Sequence, residues 1–147
     1  MFLLDTNVVS ELRKVASKRA DKQVAAWASA TPGNQTFLSV IIVFELERGV
    51  LLMERRDSAQ GKVLRGWLNN YVLVNYAGRI IPLGVDITQR CAALHVLDPK
   101  PDYDAMIAAT ALDHGLTVVT RNTEDFEEMG VKLLNPWLKH VSDPRPL

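Results

Sequence analysis

An α/β fold is predicted by three features of this chain. Short apolar runs alternate with segments of helical periodicity, capping or turn residues mark the junctions, and 147 residues suit one domain built on a parallel sheet covered on both faces. Phe2-Leu3-Leu4 is the first strand, and Asp5-Thr6-Asn7 caps a helix that opens with Val8, Val9 and Leu12. Val24, Ala25, Trp27 and Ala28 fall at helical spacing between Asp21 and Ala30, and Thr31-Pro32-Gly33-Asn34 stops that helix. A second strand follows from Thr36 to Val40. From Ile41 the β-branched residues fit either state, but Glu45-Leu46-Glu47-Arg48 through Arg56 reads as helix, with Glu45 in its first turns. Val63, Leu64, Trp67, Leu68, Tyr71 and Val72 form an apolar stripe on a further helix reaching about Tyr76.

Ile80-Ile81-Pro82-Leu83 is a short third strand, followed by a helix from Asp86 to about Leu97 and a loop, Asp98-Pro99-Lys100-Pro101, that its prolines hold extended. Asp102-Tyr103-Asp104 opens an alanine-rich helix that Gly115 closes, with Asp102 expected as its N-cap. Leu116 to Thr120 and Lys132-Leu133-Leu134 supply the last two strands. The whole of 1–147 reads as one domain, with a core over about 1–140 and a tail over 141–147.

Composition narrows the function classes. Seventeen Lys and Arg balance seventeen Asp and Glu, which argues against a nonspecific coat for nucleic acid. Cys91 stands alone, which excludes an intramolecular disulfide framework or a cysteine-based zinc site and suits a reducing compartment. No apolar run approaches the roughly 20 residues of a membrane span, and the N-terminus carries Asp5 with no basic residue before it, unlike a signal peptide. The cytoplasm is the expected location. Gly61 and Gly66 have a P-loop's spacing, but Trp67 stands where its lysine belongs; His95, His114 and His140 are scattered, and no GxGxxG, GxSxG or HExxH occurs.

In open parallel sheets ligands gather outside the carboxyl ends of the strands. The residues there are mostly acidic: Asp5 after the first strand, Glu45 beyond the second, Asp104 at the start of the helix preceding the fourth, and Asn122 with Asp125 after it. Forty residues separate Asp5 from Glu45 and 59 separate Glu45 from Asp104, so only folding can bring them together. Three converging carboxylates raise one another's pKa unless a cation intervenes. All-oxygen ligands favour Mg²⁺, with Mn²⁺ able to substitute, and such a site suits phosphodiester hydrolysis by an activated water.

Four segments carry a family resemblance: Leu3-Leu4-Asp5-Thr6-Asn7, Glu45-Leu46-Glu47-Arg48-Gly49, Asp102 through Ala111, and Val119-Thr120-Arg121-Asn122-Thr123-Glu124-Asp125-Phe126. In order and spacing the chain resembles the PIN-domain ribonucleases, in particular the VapC/FitB branch of toxin–antitoxin toxins, and Arg79-Ile80-Ile81-Pro82-Leu83 fits that branch. The likeness covers about residues 1–140. It implies a three-layer α/β/α sandwich around a mainly parallel sheet of about five strands. It also implies a metal-dependent endoribonuclease that acts on RNA as a toxin, an antitoxin partner that inhibits it, and a homodimer or larger toxin–antitoxin assembly. Asp5, Glu45 and Asp104 become the metal-site acids, with Thr6 assisting. Many members carry an acid where this chain has Asn122, so Asn122 would act weakly or through water while Asp125 supplies charge; Ile42 stands where relatives often carry a hydroxyl residue, and Ser39 is retained.

Each residue also has a plain structural reading. Asp5 is a helix cap, Glu45 a solvated helix residue, Asp104 a first-turn acid on a helix dipole, and Asn122 and Asp125 are turn formers. Arg48, Arg55, Arg56, Lys62 and Arg65 read as a solvated face before they read as a phosphate-binding rim, while Arg121 beside the acids is a better candidate for RNA contact. Trp27, Trp67 and Trp137 read as core or interface anchors, and Cys91 as inert packing. Core packing is likewise the plain reading of the stripe, with a dimer face or antitoxin groove as the alternative. Three rival functions share parts of the pattern: a Mg²⁺-dependent phosphoacceptor receiver domain, which wants an adjacent acidic pair where Asp5 is followed by Thr6, a non-catalytic PIN-like binding module, and cleavage of DNA rather than RNA by the same metal chemistry.

Overall fold

The computed structural model describes residues 1–96 and 98–138; the expected tail, Leu97 and His140 lie outside the described residues. Five parallel strands form the sheet: β1 (Phe2–Leu4), β2 (Thr36–Ser39), β3 (Ile80–Ile81), β4 (Thr117–Val119) and β5 (Lys132–Leu134). Their order is β3-β2-β1-β4-β5, every pairing being parallel. β1 is therefore the middle strand and is buried on both faces, with Leu3 and Leu4 fully inaccessible. Helices α1 (Thr6–Leu12), α2 (Lys22–Ala30), α3 (Val40–Arg56), α4 (Ser58–Trp67), α6 (Val85–Leu94) and α7 (Asp102–His114) cover it, and α4 runs through Leu68–Val72 into a last turn, α5 (Leu73–Asn75). Among the described residues no helix is long and apolar enough to cross a membrane.

Local chemistry explains where the boundaries depart from expectation. Val40 belongs to α3, because the Ser39 hydroxyl accepts from the Ile42 amide and starts the helix directly at the strand's end; Ile42, Leu46 and Val50 then fill the core. β3 is only two residues long and stops before Pro82, which has no amide to donate. β4 is trimmed to Thr117–Val119, and the sixth helix runs Val85–Leu94, ending short of Leu97. Asp102 is not a cap: Pro101 precedes the first turn of α7, and the Asp102 side chain projects into solvent. Gly115, at φ 65°, ends that helix in the left-handed conformation expected of it.

The apolar stripe splits. Leu68–Val72 is a π-helical turn, closed by the Leu73 amide on the Leu68 carbonyl. Leu68 and Val72 are buried while Val63 and Tyr71 face solvent. Trp27 is core, packed edge-on against Phe2 at 5.5 Å, whereas Trp67 and Trp137 are half-buried against the core. Cys91 is buried among apolar neighbours, and desolvation followed by the charge of Asp102 pushes its thiol pKa up, leaving it unreactive.

α3 and α4 pack as a tight hairpin. A Cβ added at Gly61 would stand 2.4 Å from Glu54 Cα and 2.7 Å from Glu54 N, so backbone itself blocks the position. Across the same interface Arg65 binds Glu47 at 2.7 Å and Glu54 at 2.8 Å. Gly61→Ala gains about 1 kcal/mol of helix propensity but forces the two helices apart, and overpacking costs about 1–3 kcal/mol, so net destabilisation is expected. Gly66→Ala, whose nearest obstacle is Asn70 Nδ2 at 3.9 Å, is the matched control and should stabilise by up to about 1 kcal/mol. Urea unfolding of the two variants checks the opposite signs.

Candidate active site

Asp5 follows the middle strand at its carboxyl end. Its amide continues the β1–β4 ladder by donating to the Val119 carbonyl at 2.9 Å, and its side chain caps α1 by accepting from the Thr6 amide at 2.8 Å. The other carboxylate oxygen accepts from the Thr120 hydroxyl at 2.7 Å and, more weakly, from Asn7 Nδ2 at 3.4 Å. Capping and burial thus coexist in one residue. Desolvation raises the pKa of Asp5, the bonds from Thr120 and Thr6 work against it, and the charge of Asp125 adds to the rise.

The other acids reach the same region from separate elements. Glu45, in the second turn of α3, has its pKa raised by burial and by Asp5, with Thr6 and Arg48 lowering it. Thr6 Oγ1 is buried and makes no hydrogen bond of normal geometry, which leaves a hydroxyl beside Glu45 without a settled partner. Asp104 lies in the first turn of α7, where the helix dipole would favour its charge. Burial and the charges of Asp125, Asp5 and Glu45 outweigh the dipole and push its pKa up to about 6. Asp5, Glu45, Asp104 and Asp125 therefore share one electrostatic site, although among the described residues no three His, Cys, Asp or Glu side chains stand in metal-holding geometry.

Asn122 and Asp125 play different parts. Asn122 precedes a 3₁₀ segment, Thr123–Met129, and no cap bond comes from its side chain; its amide donates to Thr120 Oγ1 at 3.0 Å. Asp125 is solvent-exposed, and its charge acts on both Asp5 and Asp104. Arg121 lies 5.2 Å over the Trp137 ring and its amide donates to Asn7 Oδ1 at 3.2 Å. Arg48 lies on the exposed side of α3 against Phe44 and Tyr103. Of the basic run, Arg65 is committed to Glu47 and Glu54 and is no part of a phosphate-binding rim.

Two residues quoted only as parts of motifs turn out to organise the site. Thr120 donates to Asp5 while accepting from Asn122 and Asn7, and Asn7 ties the first turn of α1 to the chain at Arg121. Their signal in the sequence was weak, because short polar residues after strands also serve as ordinary turn formers. A cavity of about 310 Å³ lies at the opposite end of the sheet, between α1, α4 and the starts of β2 and β3, lined by Leu12, Arg13, Thr36, Trp67 and Arg79. Arg79 there is consumed by the carbonyls of Gly33, Thr36 and Asn75, so the acidic end is where uncommitted chemistry lies.

The donor set consists of oxygen atoms: four carboxylates with a hydroxyl beside them. Such a set fits a hard divalent cation, whose charge would offset the burial and like-charge repulsion that raise the pKa of Asp5, Glu45 and Asp104.

Comparison with known proteins bears on the same residues. The sequence model of the PIN domain family matches residues 2–132, a span that includes all four acids. A VapC ribonuclease, Y4jK of Sinorhizobium fredii, is 38% identical over 145 residues, covering 93% of this chain and 98% of that protein. The crystal structure of FitAcB from Neisseria gonorrhoeae contains a chain that superposes with a TM-score of 0.84 at 34% identity, covering 93% of this chain and 99% of that one. A toxin–antitoxin complex from Klebsiella pneumoniae gives 0.63 at 28% identity, covering 92% and 98%.

Asp104 provides a test of the electrostatics that needs no substrate. In the unfolded chain its carboxyl ionises near 3.8, and in the fold only near 6, so unfolding is favoured progressively as pH rises through that window and the loss is complete above it. Asp104→Asn removes the loss. In EDTA at pH 7 the variant should be more stable than the wild type by about 1 kcal/mol, allowing for solvent screening of a half-buried group, with the gain vanishing below pH 4. Thermal melts across pH 4–7 measure the difference.

Proposed function

From the premise that this chain belongs to the PIN domain family, we propose that it is an endoribonuclease, hydrolysing RNA phosphodiester bonds with a divalent cation, Mg²⁺ or Mn²⁺, at the acidic site, and that it is the toxin of a toxin–antitoxin pair. The observation that carries the proposal is the set of mutually destabilised acids: Asp5, Glu45 and Asp104 reach one region from three elements, and burial and like charge raise the pKa of each. A fold tolerates such a concentration of charge where function requires it. The 38% identity to a VapC ribonuclease supports the choice of RNA, and the likeness to a chain of a toxin–antitoxin complex supports an inhibiting antitoxin partner. A homodimer belongs to the same reading.

Asp5, Glu45 and Asp104 would hold the cation, which supplies neutralisation of charge on the scissile phosphate and acidifies a water. The residues divide the remaining work. Thr120 and the Thr6 amide fix the Asp5 carboxylate in one orientation, so a cation would meet it with little further reorganisation. Burial and neighbouring acids raise the pKa of Glu45 and bring that of Asp104 up to about 6, so Asp104 can exchange a proton with water near neutrality. Thr6 Oγ1, buried and unpartnered, is available to a water beside Glu45. Arg121 and Arg48 flank the acids and would hold phosphate oxygens. Asn122, neutral where many relatives carry an acid, contributes through its amide, while Asp125 contributes charge at the margin.

A non-catalytic binding module is the second reading, favoured by the absence among the described residues of three acids in metal-holding geometry. Purified protein incubated with a mixed RNA pool and Mn²⁺ or Mg²⁺ decides between them. Metal-dependent cleavage abolished by EDTA and reduced at least about 100-fold by Asp5→Asn or Asp104→Asn is the expected result. Undiminished cleavage by both variants would sink the site assignment, and folded protein that neither cuts RNA nor binds Mn²⁺ by calorimetry would establish the binding module.

A further inference from the structure

Phe44 and Tyr103 stand one residue before Glu45 and Asp104 respectively, on helices α3 and α7 that pack together. Their rings meet at 5.5 Å between centroids, tilted by 55°, and the Arg48 guanidinium sits 5.4 Å from one centroid and 5.8 Å from the other. The cluster is open: Phe44 is 48% exposed and Tyr103 39%. Two large rings at a solvent boundary forfeit apolar burial that either would gain if turned inward. Arg48 has no carboxylate at ion-pair distance among the described residues, although it lies close enough to Glu45 to lower its pKa.

We propose that Phe44, Tyr103 and Arg48 form a base-stacking platform that receives an unpaired nucleobase next to the phosphodiester held at the acidic site. The proposal deepens the nuclease reading and rests on it for the position of the RNA. Exposed aromatic faces and guanidinium planes are what single-stranded RNA binds by stacking, and stacking accepts any base because each has a π face. The substrate class is accordingly single-stranded RNA, since a base inside a duplex has no free face to offer. Charge also favours nucleic acid over a second copy of this chain. A guanidinium with no carboxylate at ion-pair distance among the described residues, bracketed by aromatic rings, complements a polyanion passing the acidic site, whereas a second copy of this chain carries zero formal net charge. Tyr103 further offers its hydroxyl to a base edge, an opportunity that Phe44 lacks.

The test measures binding, so it does not depend on cleavage. Full-length protein carrying Asp104→Asn is titrated in Mg²⁺ with a fluorescein-labelled pool of short single-stranded RNAs and, separately, with an abasic ribose-phosphate oligomer of equal length, by anisotropy. The parent should prefer the base-bearing RNA by about tenfold, and Phe44→Leu with Tyr103→Leu, which keeps apolar bulk but removes the rings, should erase that preference without changing the salt dependence, because no phosphate contact is lost. Tyr103→Phe, which keeps the ring, should retain it and guards against a folding artefact. An unchanged preference in the double leucine variant overturns the platform. So does intact preference accompanied by a fall in assembly state on sedimentation, which would assign the face to a second copy. Failure of the nuclease reading has a separate signature: wild-type protein that cuts nothing in Mn²⁺ whatever the outcome of the binding series.

Discussion

The Asp5 carboxylate is held where burial raises its pKa, and much of the acidic end is arranged around that fact. It ends the middle strand, so it is enclosed by the flanking strands and by α1. The bonds from Thr120, Thr6 and Asn7 reduce the cost of the charge without cancelling it. The sheet register makes this possible. Leu4 pairs with Val119, so Asp5 and Thr120 leave adjacent strands side by side, 115 positions apart in sequence. A shift of one residue in that pairing would turn one of the two side chains to the other face. The same hydroxyl then accepts from the Asn122 amide and sets the course of the chain after β4, which carries Arg121 and Asp125 past the pocket. Strand register, helix cap and turn are therefore one device.

Around Asp5 the energetics run against stability. Asp104 has a helix N-terminus in its favour and still ends with a pKa near 6, because desolvation and three neighbouring charges exceed a dipole contribution of order 0.3–1 kcal/mol. Glu45 has no such dipole and relies on Thr6 and Arg48 for relief. The apolar frame offsets these penalties: Leu3, Leu4, Leu38, Val118, Phe126 and Ile107 are fully buried beneath the site. Stability resides in the sheet and its helices, while strain is concentrated at one edge where the carboxyl ends of the strands open.

That division also explains what could be read from the residues alone. Strands and helices were legible because their signals are local: Phe2-Leu3-Leu4, the Asp21 cap and Gly115 each act within a few residues. Boundaries failed where burial or a side-chain cap outvoted a residue's own preference. Val40 is β-branched yet helical because the Ser39 hydroxyl caps the turn, and the stripe from Val63 to Val72 splits lengthwise, with Leu68 and Val72 buried while Val63 and Tyr71 face solvent. The acids were legible as a set through their order along the chain, not through any local spacing. Thr120 and Asn7 lie within their motifs with no task visible in the sequence, since their task exists only when β1 and β4 pair. Phe44 carries no local signal for the same reason: its partner Tyr103 lies 59 residues away.

The arginines show how a chain of zero net charge can still present uncommitted cations at one place. Arg65 and Arg79 are fully engaged, one by the carboxylates of Glu47 and Glu54 and the other by backbone carbonyls, and both act as struts. Arg48 and Arg121 are instead supported by aromatic faces, Phe44 with Tyr103 and Trp137. An aromatic face orients a guanidinium while leaving its N–H donors unspent, whereas a carboxylate consumes them. Arg48 and Arg121 both lie close in sequence to the acids, Arg48 three residues after Glu45 and Arg121 four before Asp125. The arrangement separates two tasks that would otherwise compete: acids that must not be neutralised by neighbouring side chains, and cations that must not be neutralised by those acids, held a few residues apart by rings that keep the two from closing on each other.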